Sequence, residues 1–350
     1  MSTRRGDSVF TRSNNRHAPE RVGLDRPFRI ALPSFREQGL VAARVGRQQD
    51  RGFIVITEGG DRAAELAGRD RSLAVAVGDW VGLRGGLIEA VLPRRSKVSR
   101  KAAGAETLEQ IVAANVDTLF LVSSLDREFN VRRIERYVTL AWESGASPVV
   151  LLNKADLCDD VDARVAEAER VAVGLPVHAV SATEQRGLDV VRAHLGDGRT
   201  VAFIGSSGVG KSALVNALLG TARQDTGPVR EDDARGRHTT TMRELFVVPG
   251  GGLVIDTPGM RELQLWADAE DLGLAFPEIA EAAARCRYRD CTHAHEPSCG
   301  VRGTVDERRL ASFLKLRAEI GSLELRRAQK ERMKKRGRRP EIRERLEEWE

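Results

Sequence analysis

A glycine-rich segment at residues 205–212 has the residue types and spacing of a phosphate-binding loop, since it reads Gly-Ser-Ser-Gly-Val-Gly-Lys-Ser. An apolar run at 201–204 precedes it and predicts a buried strand, and helix-forming residues follow it. Glycines let backbone N–H groups surround phosphate oxygens, and the next helix N-terminus adds partial positive charge. In this motif Lys211 reaches the β- and γ-phosphates, and the Ser212 hydroxyl ligates Mg²⁺. The predicted nucleotide-binding residues are Gly205, Ser206, Ser207, Gly208, Val209, Gly210, Lys211, Ser212 and Ala213.

Residues 153–156, Asn-Lys-Ala-Asp, follow an apolar run at 148–152 and indicate which base is bound. The Asp156 carboxylate can accept the N1–H and 2-amino protons of guanine, whereas adenine would leave it unpaired in a dry pocket. We expect Asn153 to tie loops together and the Lys154 stem to cover the ring. An ordinary strand-to-helix loop also fits this motif alone, but the phosphate-binding loop favours guanine. The predicted guanine-binding residues are Asn153, Lys154, Asp156, Ser181 and Ala182, the last two through a backbone contact.

Two polar segments beyond the phosphate-binding loop have the composition of nucleotide-sensing switches. The first contains His238 followed by threonines at 239–241, and the second is Asp-Thr-Pro-Gly at 256–259 after an apolar run. A switch threonine can ligate Mg²⁺ and sense the γ-phosphate; Asp256 would hold Mg²⁺ through water, and the Gly259 amide would contact the γ-phosphate. The predicted Mg²⁺ ligands are Ser212, Thr240 and Asp256, with Thr241 an alternative to Thr240.

The residue that would orient the attacking water is not the usual glutamine, because Met260 follows the Asp-x-x-Gly motif and a thioether cannot orient water. We expect His238 to position the water instead, and hydrolysis to be slow until a partner orders the switch. A purely anchoring role for His238 is the alternative. The predicted catalytic residues are His238, Lys211, Thr240, Thr241 and Gly259.

The motifs follow an order that differs from that of ordinary GTPases, in which the phosphate-binding loop comes first and the guanine motifs last. Here the guanine motifs at 153–156 and 181–182 precede the phosphate-binding loop. The sequence therefore predicts a circularly permuted domain, which is tolerable because the termini of a domain often lie close together. As a consequence, the second switch runs directly into the C-terminal segment.

A cysteine-rich segment lies in that C-terminal part. Three of the four cysteines fall in the pattern Cys-x₄-Cys-x-His-x₅-Cys between residues 286 and 299. Three thiolates and one imidazole match a closed tetrahedral Zn²⁺ site, which is structural because no position is left open, and this argues against a zinc nuclease. The candidate ligands are Cys286, Cys291, Cys299 and either His293 or His295.

The hydrophobic pattern predicts the elements that position these motifs. Strand-like runs alternate with amphipathic helical segments, which predicts βαβ units and a mostly parallel sheet with ligands at the carboxyl ends of its strands. The predicted strands cover 116–122, 148–152, 177–180, 201–204 and 252–256, and the helices cover 131–144, 161–173, 188–195 and 213–219.

Upstream, short β-like runs separated by turn residues predict a small barrel, with an OB-type fold as the leading candidate. A basic cluster at 94–101 lies at its exit and is either a solvated linker or a nucleic-acid contact. Between 326 and 339, nine basic residues against one glutamate leave the same two alternatives. The predicted barrel strands cover 40–45, 52–57, 74–77, 79–83 and 87–92.

Composition narrows the class of protein. With 350 residues, of which 41% are hydrophobic, the chain suits several globular domains, and its formal net charge of +5 is a mild basic bias. We find no apolar run of about 18 residues and no secretory signal, so we expect a cytoplasmic monomer without a membrane span. The predicted regions are a flexible basic arm (1–36), an OB-like barrel (37–100), a GTPase domain (105–265) and a zinc-binding helical domain with a basic tail (266–350).

Together these motifs resemble the ribosome small-subunit-dependent GTPase A (RsgA) family. The resemblance implies an N-terminal OB-type barrel, a circularly permuted α/β P-loop GTPase core, and a C-terminal zinc-binding helical domain in which His293 is the fourth ligand. It also implies binding of the small ribosomal subunit and its 16S-type rRNA, a role in late subunit maturation, and release timed by hydrolysis of GTP to GDP and phosphate. Beyond the nucleotide and cysteine motifs, the matching segments are 78–81, 92–94, 113–117 and 135–137.

Two functional hypotheses follow. The first is a GTPase that uses Mg²⁺ and carries one structural Zn²⁺; the alternative is a GTP-gated RNA-binding module in which turnover is incidental. Intact Lys211, Ser212 and Asp256 favour turnover.

Overall fold

The computed structural model describes residues 33, 35–49, 52–67, 74–101, 109–196, 198–220, 243–256, 269–322, 325 and 328–329. The strands are β1 (Val41–Gln48), β2 (Phe53–Thr57), β3 (Gly60–Leu66), β4 (Trp80–Arg84), β5 (Leu87–Val91), β6 (Lys97–Lys101), β7 (Glu109–Ala114), β8 (Thr118–Ser124), β9 (Ser147–Asn153), β10 (Val177–Ala179), β11 (Thr200–Ile204), β12 (Glu244–Val247) and β13 (Leu253–Asp256). The helices used below are α1 (Val131–Ser144), α2 (Val161–Glu169), α3 (Leu188–Ala193), α4 (Lys211–Leu219), α5 (Ala269–Ala275), α6 (Pro277–Ala283) and α7 (307–322). In these described parts no helix is long and apolar enough to cross a membrane.

The predicted parallel sheet is present, with the strand order β10-β9-β8-β11-β13-β12. Its first five strands run parallel, and β12 pairs antiparallel with β13. β8 and β11 are buried along their whole length, as expected for strands of a covered parallel sheet. The strand before the phosphate-binding loop, β11, lies centrally, with earlier strands of the chain on one side and later strands on the other. This arrangement is the predicted circular permutation.

The N-terminal strands close into a five-stranded barrel in the order β1-β2-β3-β5-β4, with β4 pairing back onto β1. All neighbours are antiparallel except β3 and β5, which run parallel. Its interior is apolar, and the predicted OB-type barrel is confirmed. The buried interior side chains are Ala43, Val45, Phe53, Val55, Ala64, Val81, Leu83 and Ile88.

One predicted barrel strand is wrong. Residues 74–77 form no strand, and the third strand is instead β3, a polar segment in which only Ala64 is buried. The apolar side chains of Ala76 and Val77 are buried as expected, but their backbone is used in a turn: the Ala76 amide donates to Asp79 Oδ2 (2.8 Å), and the Val77 carbonyl accepts from the Ala114 amide (2.9 Å). The apolar residues Ala76 and Val77 therefore indicated burial, and not a strand.

The basic cluster at 94–101 is part of a structured joint between barrel and sheet. Its second half is β6, which pairs antiparallel with β7, so a hairpin spans the predicted boundary between the two regions. Arg94 forms a bidentate ion pair with the fully buried Asp79, with both N···O distances 2.7 Å. Arg95 Nη2 lies 3.0 Å from Asp117 Oδ1, and its amide donates to Asn115 Oδ1 (3.0 Å). These two cations serve internal contacts.

The C-terminal elements pack against the GTPase sheet through α1. Phe276, Phe313 and Leu316 belong to the same apolar core as residues of α1 and the sheet. The buried Arg309 of α7 lies between two carboxylates, with Nη1 3.0 Å from Glu135 Oε1 and Nε 2.6 Å from Glu278 Oε1. A C-terminal helix is thereby fixed to a GTPase helix by both apolar contacts and a buried ionic cluster.

Candidate nucleotide and metal sites

The phosphate-binding loop lies between β11 and α4 at the carboxyl end of the sheet. Gly208 and Gly210 have φ values of 80° and 95°, which L-residues rarely adopt. A Cβ on Gly205 would lie 2.4 Å from the Val122 carbonyl oxygen, so no side chain fits there. Lys211 Nζ donates to the Gly205 and Ser206 carbonyls at 2.8 and 2.7 Å, and these bonds curl its side chain over the loop where a phosphate would bind.

Asn153 at the end of β9 joins the phosphate-binding loop to the guanine motifs. Its side chain is buried; Nδ2 donates to the Val209 carbonyl (2.9 Å) and Oδ1 accepts from the Ala182 amide (3.1 Å). A Cβ on Gly210 would lie 2.1 Å from Asn153 Nδ2, so the glycine is needed for this approach. One buried amide thus links three loops.

Asp156 of the first guanine motif and Ser181 of the second lie together. The Ser181 hydroxyl donates to Asp156 Oδ1 (2.5 Å) and accepts from the Glu184 amide (3.1 Å), which orients the carboxylate. An open cleft of about 410 Å³ beside it is large enough for a planar base. Residues lining it include Ala155, Asp156, Cys158, Val161, Ala179 and Arg186.

Asp126, at the end of β8, is a site residue that the sequence analysis missed. Lys154 has a left-handed backbone (φ 63°), and its Nζ lies 2.7 Å from Asp126 Oδ2. Burial by itself raises the pKa of Asp126, but hydrogen bonds from Lys154, Ser124 and the Glu128 amide outweigh it, so its pKa lies below the ordinary value. The pair holds the Lys154 stem in place. Its only sequence signal is an acidic residue just after a buried strand.

A second group that the sequence did not single out comes from α1. Arg133 Nη1 donates to the Ser206 hydroxyl in the phosphate-binding loop (2.8 Å), and Tyr137 lies one turn further along the same side of α1. Burial raises the pKa of Tyr137, although the Arg133 charge opposes that rise. Tyr137 therefore stays neutral near pH 7.

Among the predicted Mg²⁺ ligands, the structure describes Ser212 and Asp256. Ser212 lies in the first turn of α4, and Asp256 ends β13, which pairs directly with β11. Ser212 thus lies at the amino end of α4 and Asp256 at the carboxyl end of β13, both at the same edge of the sheet, an arrangement that suits one metal between them. His238, Thr239, Thr240, Thr241, Gly259 and Met260 lie outside the described residues, so the switch and catalytic assignments there stay predictions.

The four C-terminal ligand candidates form a compact cluster. The ligand atoms of Cys286, Cys291, His293 and Cys299 lie within 4.8 Å of one another. Three pairs are at 3.5, 3.6 and 4.0 Å, and a tetrahedral zinc with bonds of about 2.0–2.3 Å would place its ligand atoms about 3.5–3.8 Å apart. Burial lowers the pKa of His293, which favours the neutral imidazole that binds metal.

His293 rather than His295 has the geometry of a ligand. His293 is buried with a left-handed backbone (φ 62°), which turns its Nδ1 toward the thiols, whereas His295 is exposed. The Gly300 amide donates to Cys286 Sγ (3.2 Å), a contact that stabilises a thiolate. The residues present therefore fit one tetrahedral Zn²⁺.

Comparisons with known proteins agree with this architecture. A family model described as RsgA GTPase matches residues 91–266. Two proteins named small ribosomal subunit biogenesis GTPase RsgA, from Opitutus terrae and Syntrophotalea carbinolica, are each 45% identical, over 85% and 87% of this chain and 88% and 90% of theirs. The crystal structure of YjeQ from Thermotoga maritima is similar with a TM-score of 0.62 and 29% identity, covering 80% of this chain and 98% of that one. YloQ, described as a circularly permuted GTPase, has a TM-score of 0.59 at 23% identity, covers 81% and 96% of the two chains, and shows the same fold.

Proposed function

The chain belongs to the RsgA GTPase family, and we propose that it hydrolyses GTP in the biogenesis of the small ribosomal subunit. The arrangement around Asn153 carries this proposal. Because one buried side chain bonds both the phosphate-binding loop and the loop after β10, the two halves of a GTP molecule have binding sites at a set separation. An RNA-binding protein without a nucleotide would gain nothing from that spacing.

The chain's own residues suggest how GTP is held. Lys211 leaves the Gly205 and Ser206 carbonyls to bind the β- and γ-phosphates, and Asp156, oriented by Ser181, accepts the guanine N–H groups. Ser212 and Asp256, with Thr240 or Thr241 from the first switch, would hold Mg²⁺, which would supply positive charge opposite the phosphates. His238 positions the attacking water, since Met260 cannot.

We assign the Cys/His cluster to one structural Zn²⁺ that fixes the segment between α6 and α7. Metal analysis of the purified chain should give about one zinc per molecule, and Cys291→Ser should lower that content. Cys158→Ser is the matched control, because Cys158 lies outside the cluster. A Cys291→Ser protein that retains a full zinc equivalent would contradict the assignment.

The partner that we infer is the small ribosomal subunit with its 16S-type rRNA, which also supports a cytoplasmic location. The barrel is of a type that binds oligonucleotides, and this supports an RNA contact. Arg94 and Arg95 are engaged in internal ion pairs and are therefore poor candidates for that contact. We further propose that hydrolysis times release from the subunit and that the chain acts as a monomer.

The decisive experiment is GTP hydrolysis by the full chain with and without small subunits. ATP and large ribosomal subunits are the controls. The proposal is supported if small subunits strongly stimulate GTP hydrolysis, while large subunits do not and ATP is not hydrolysed. GTP-dependent RNA binding without any stimulated turnover would favour the alternative, a GTP-gated RNA-binding module.

A further inference from the structure

Helix α1 contacts the phosphate-binding loop and the C-terminal segment within one helical turn. Arg133 Nη1 bonds the Ser206 hydroxyl, and Tyr137 lies one turn further along the same side of the helix. Between them, Glu135 pairs with Arg309, and Arg136 Nη2 lies 2.6 Å from Glu319 Oε1. Helix α1 therefore connects α7 to Ser206 through contacts that involve neither switch.

Ser206 is bonded from two sides. Its hydroxyl accepts from Arg133, while its carbonyl accepts from Lys211 Nζ (2.7 Å). When a phosphate draws Lys211 away, the carbonyl bond is lost and the side-chain bond from Arg133 remains to keep the loop in shape. The second partner of Arg133, Glu128, is 3.8 Å away and 68% exposed, so it competes weakly for the guanidinium.

We propose that Arg133 is a positioning residue that pre-forms the phosphate-binding loop through Ser206, and that α7 tunes this action through the Arg136–Glu319 pair. The inference rests on the proposed GTP site but not on turnover. Holding the loop in its phosphate-binding shape before the ligand arrives lowers the ordering cost of binding, so both GTP and GDP should bind more tightly. Helix α7 then influences nucleotide affinity from a distance.

The first test measures the dissociation constants of fluorescent GTP and GDP analogues for the full chain. Arg133→Gln should weaken both by about fivefold, the low end of typical coupling, and Ser206→Ala should do the same. The double variant should be no weaker than either single one, because both changes remove the same bond. Arg132→Gln is the matched control, since Arg132 is the exposed neighbour on the same helix.

The second test measures the coupling to α7. Glu319→Gln should weaken nucleotide binding in the parental chain and have no further effect in the Arg133→Gln background. Glu167→Gln, which removes the acidic partner of an exposed pair on α2, is its control. Glu319 is preferred to Arg309 because the Arg136–Glu319 pair is partly exposed and its loss should leave the fold intact; equal thermal midpoints would verify this.

Three results would overturn the inference. If Arg133→Gln binds GTP and GDP with the same dissociation constants as Arg132→Gln, Arg133 has no positioning role. If the effects of Arg133→Gln and Ser206→Ala on nucleotide affinity add, Arg133 does not act through its bond to Ser206. Equal effects of Glu319→Gln in both backgrounds remove the coupling to α7. If the parental chain binds GTP but never hydrolyses it, the proposed function fails while these binding comparisons still decide the inference.

Discussion

The nucleotide edge of the sheet (Asn153, Asp156 and Lys211) and the barrel joint (Asp79 and Arg94) both consist of polar residues in motif-like segments, yet they differ in burial and bonding. At the joint, Asp79 is fully buried and its carboxylate is paired with a guanidinium of the same chain. At the nucleotide edge, Asp156 and Lys211 are partly exposed, and Lys211 bonds backbone carbonyls that a phosphate can replace.

This difference separates the polar residues that stabilise the fold from those that are available to bind a ligand. Ionic groups that satisfy one another in the core hold two folding units together, because breaking them leaves a buried charge. Ionic groups whose bonds are interchangeable with those of a ligand remain available for binding. Substitutions at the joint should therefore lower the free energy of unfolding, and substitutions at the nucleotide edge should mainly weaken nucleotide binding or hydrolysis.

The largest effect is expected at the joint. Asp79→Ala leaves Arg94 beside the core without its partner and removes the acceptor of the Ala76 amide, so the free energy of unfolding should fall by about 3–5 kcal/mol. Urea denaturation measures this loss, with Arg164→Ala, at an exposed pair, as the control. Nucleotide affinity of the folded fraction should be unchanged; weakened affinity at full folding would break the comparison.

Next in size is Lys211→Ala. Removing the cation that meets the β- and γ-phosphates should lower the rate of GTP hydrolysis by roughly 10²–10³-fold, while the thermal midpoint changes little because Lys211 is partly exposed and its bonds to the Gly205 and Ser206 carbonyls can be replaced by bonds to water. Hydrolysis assays and thermal unfolding of the same preparation test both halves. Lys315→Ala, at an exposed position on α7, is the control. A large loss of stability would place Lys211 with the joint residues.

Asn153→Ala should fall between the two classes, because Asn153 is buried like a joint residue but lies at the nucleotide edge. Losing its bonds to Val209 and Ala182 should cost about 1–3 kcal/mol of stability and weaken GTP and GDP alike. Nucleotide titration and urea denaturation report the two effects. An effect confined to one of the two measurements would show that loop spacing and folding are separable.

The smallest effect belongs to Asp126→Asn, which we expect to cost less than about 1 kcal/mol at pH 7, since the Lys154 pair is partly exposed. The pKa of Asp126 is lowered in the folded chain, so its stabilisation is present above the ordinary value of 3.8 and is lost as pH falls through the folded pKa. The difference between parent and variant in urea denaturation should therefore shrink below about pH 4. A difference that stays constant with pH would exclude the ion pair as its source.

Local periodicity predicted the GTPase core well. Helix α1 has the predicted bounds, 131–144, because its apolar spacing is strong and Asn130 caps its first turn, accepting from the Arg132 and Arg133 amides. The run at 161–173 yields a shorter helix, α2, which ends at Glu169. The third barrel strand was missed because β3 presents mostly polar residues to solvent, so no hydrophobic pattern marked it.

The sequence alone determined the nucleotide motifs, their permuted order and the cysteine spacing, because each depends on residue types at short, fixed separations. Only the tertiary structure decided that Arg94 and Arg95 pair internally, that His293 rather than His295 faces the thiols, and that Arg133 reaches Ser206. Arg133 and Ser206 are 73 positions apart. A contact over that distance depends on how α1 packs against the sheet, which no local pattern of residues encodes.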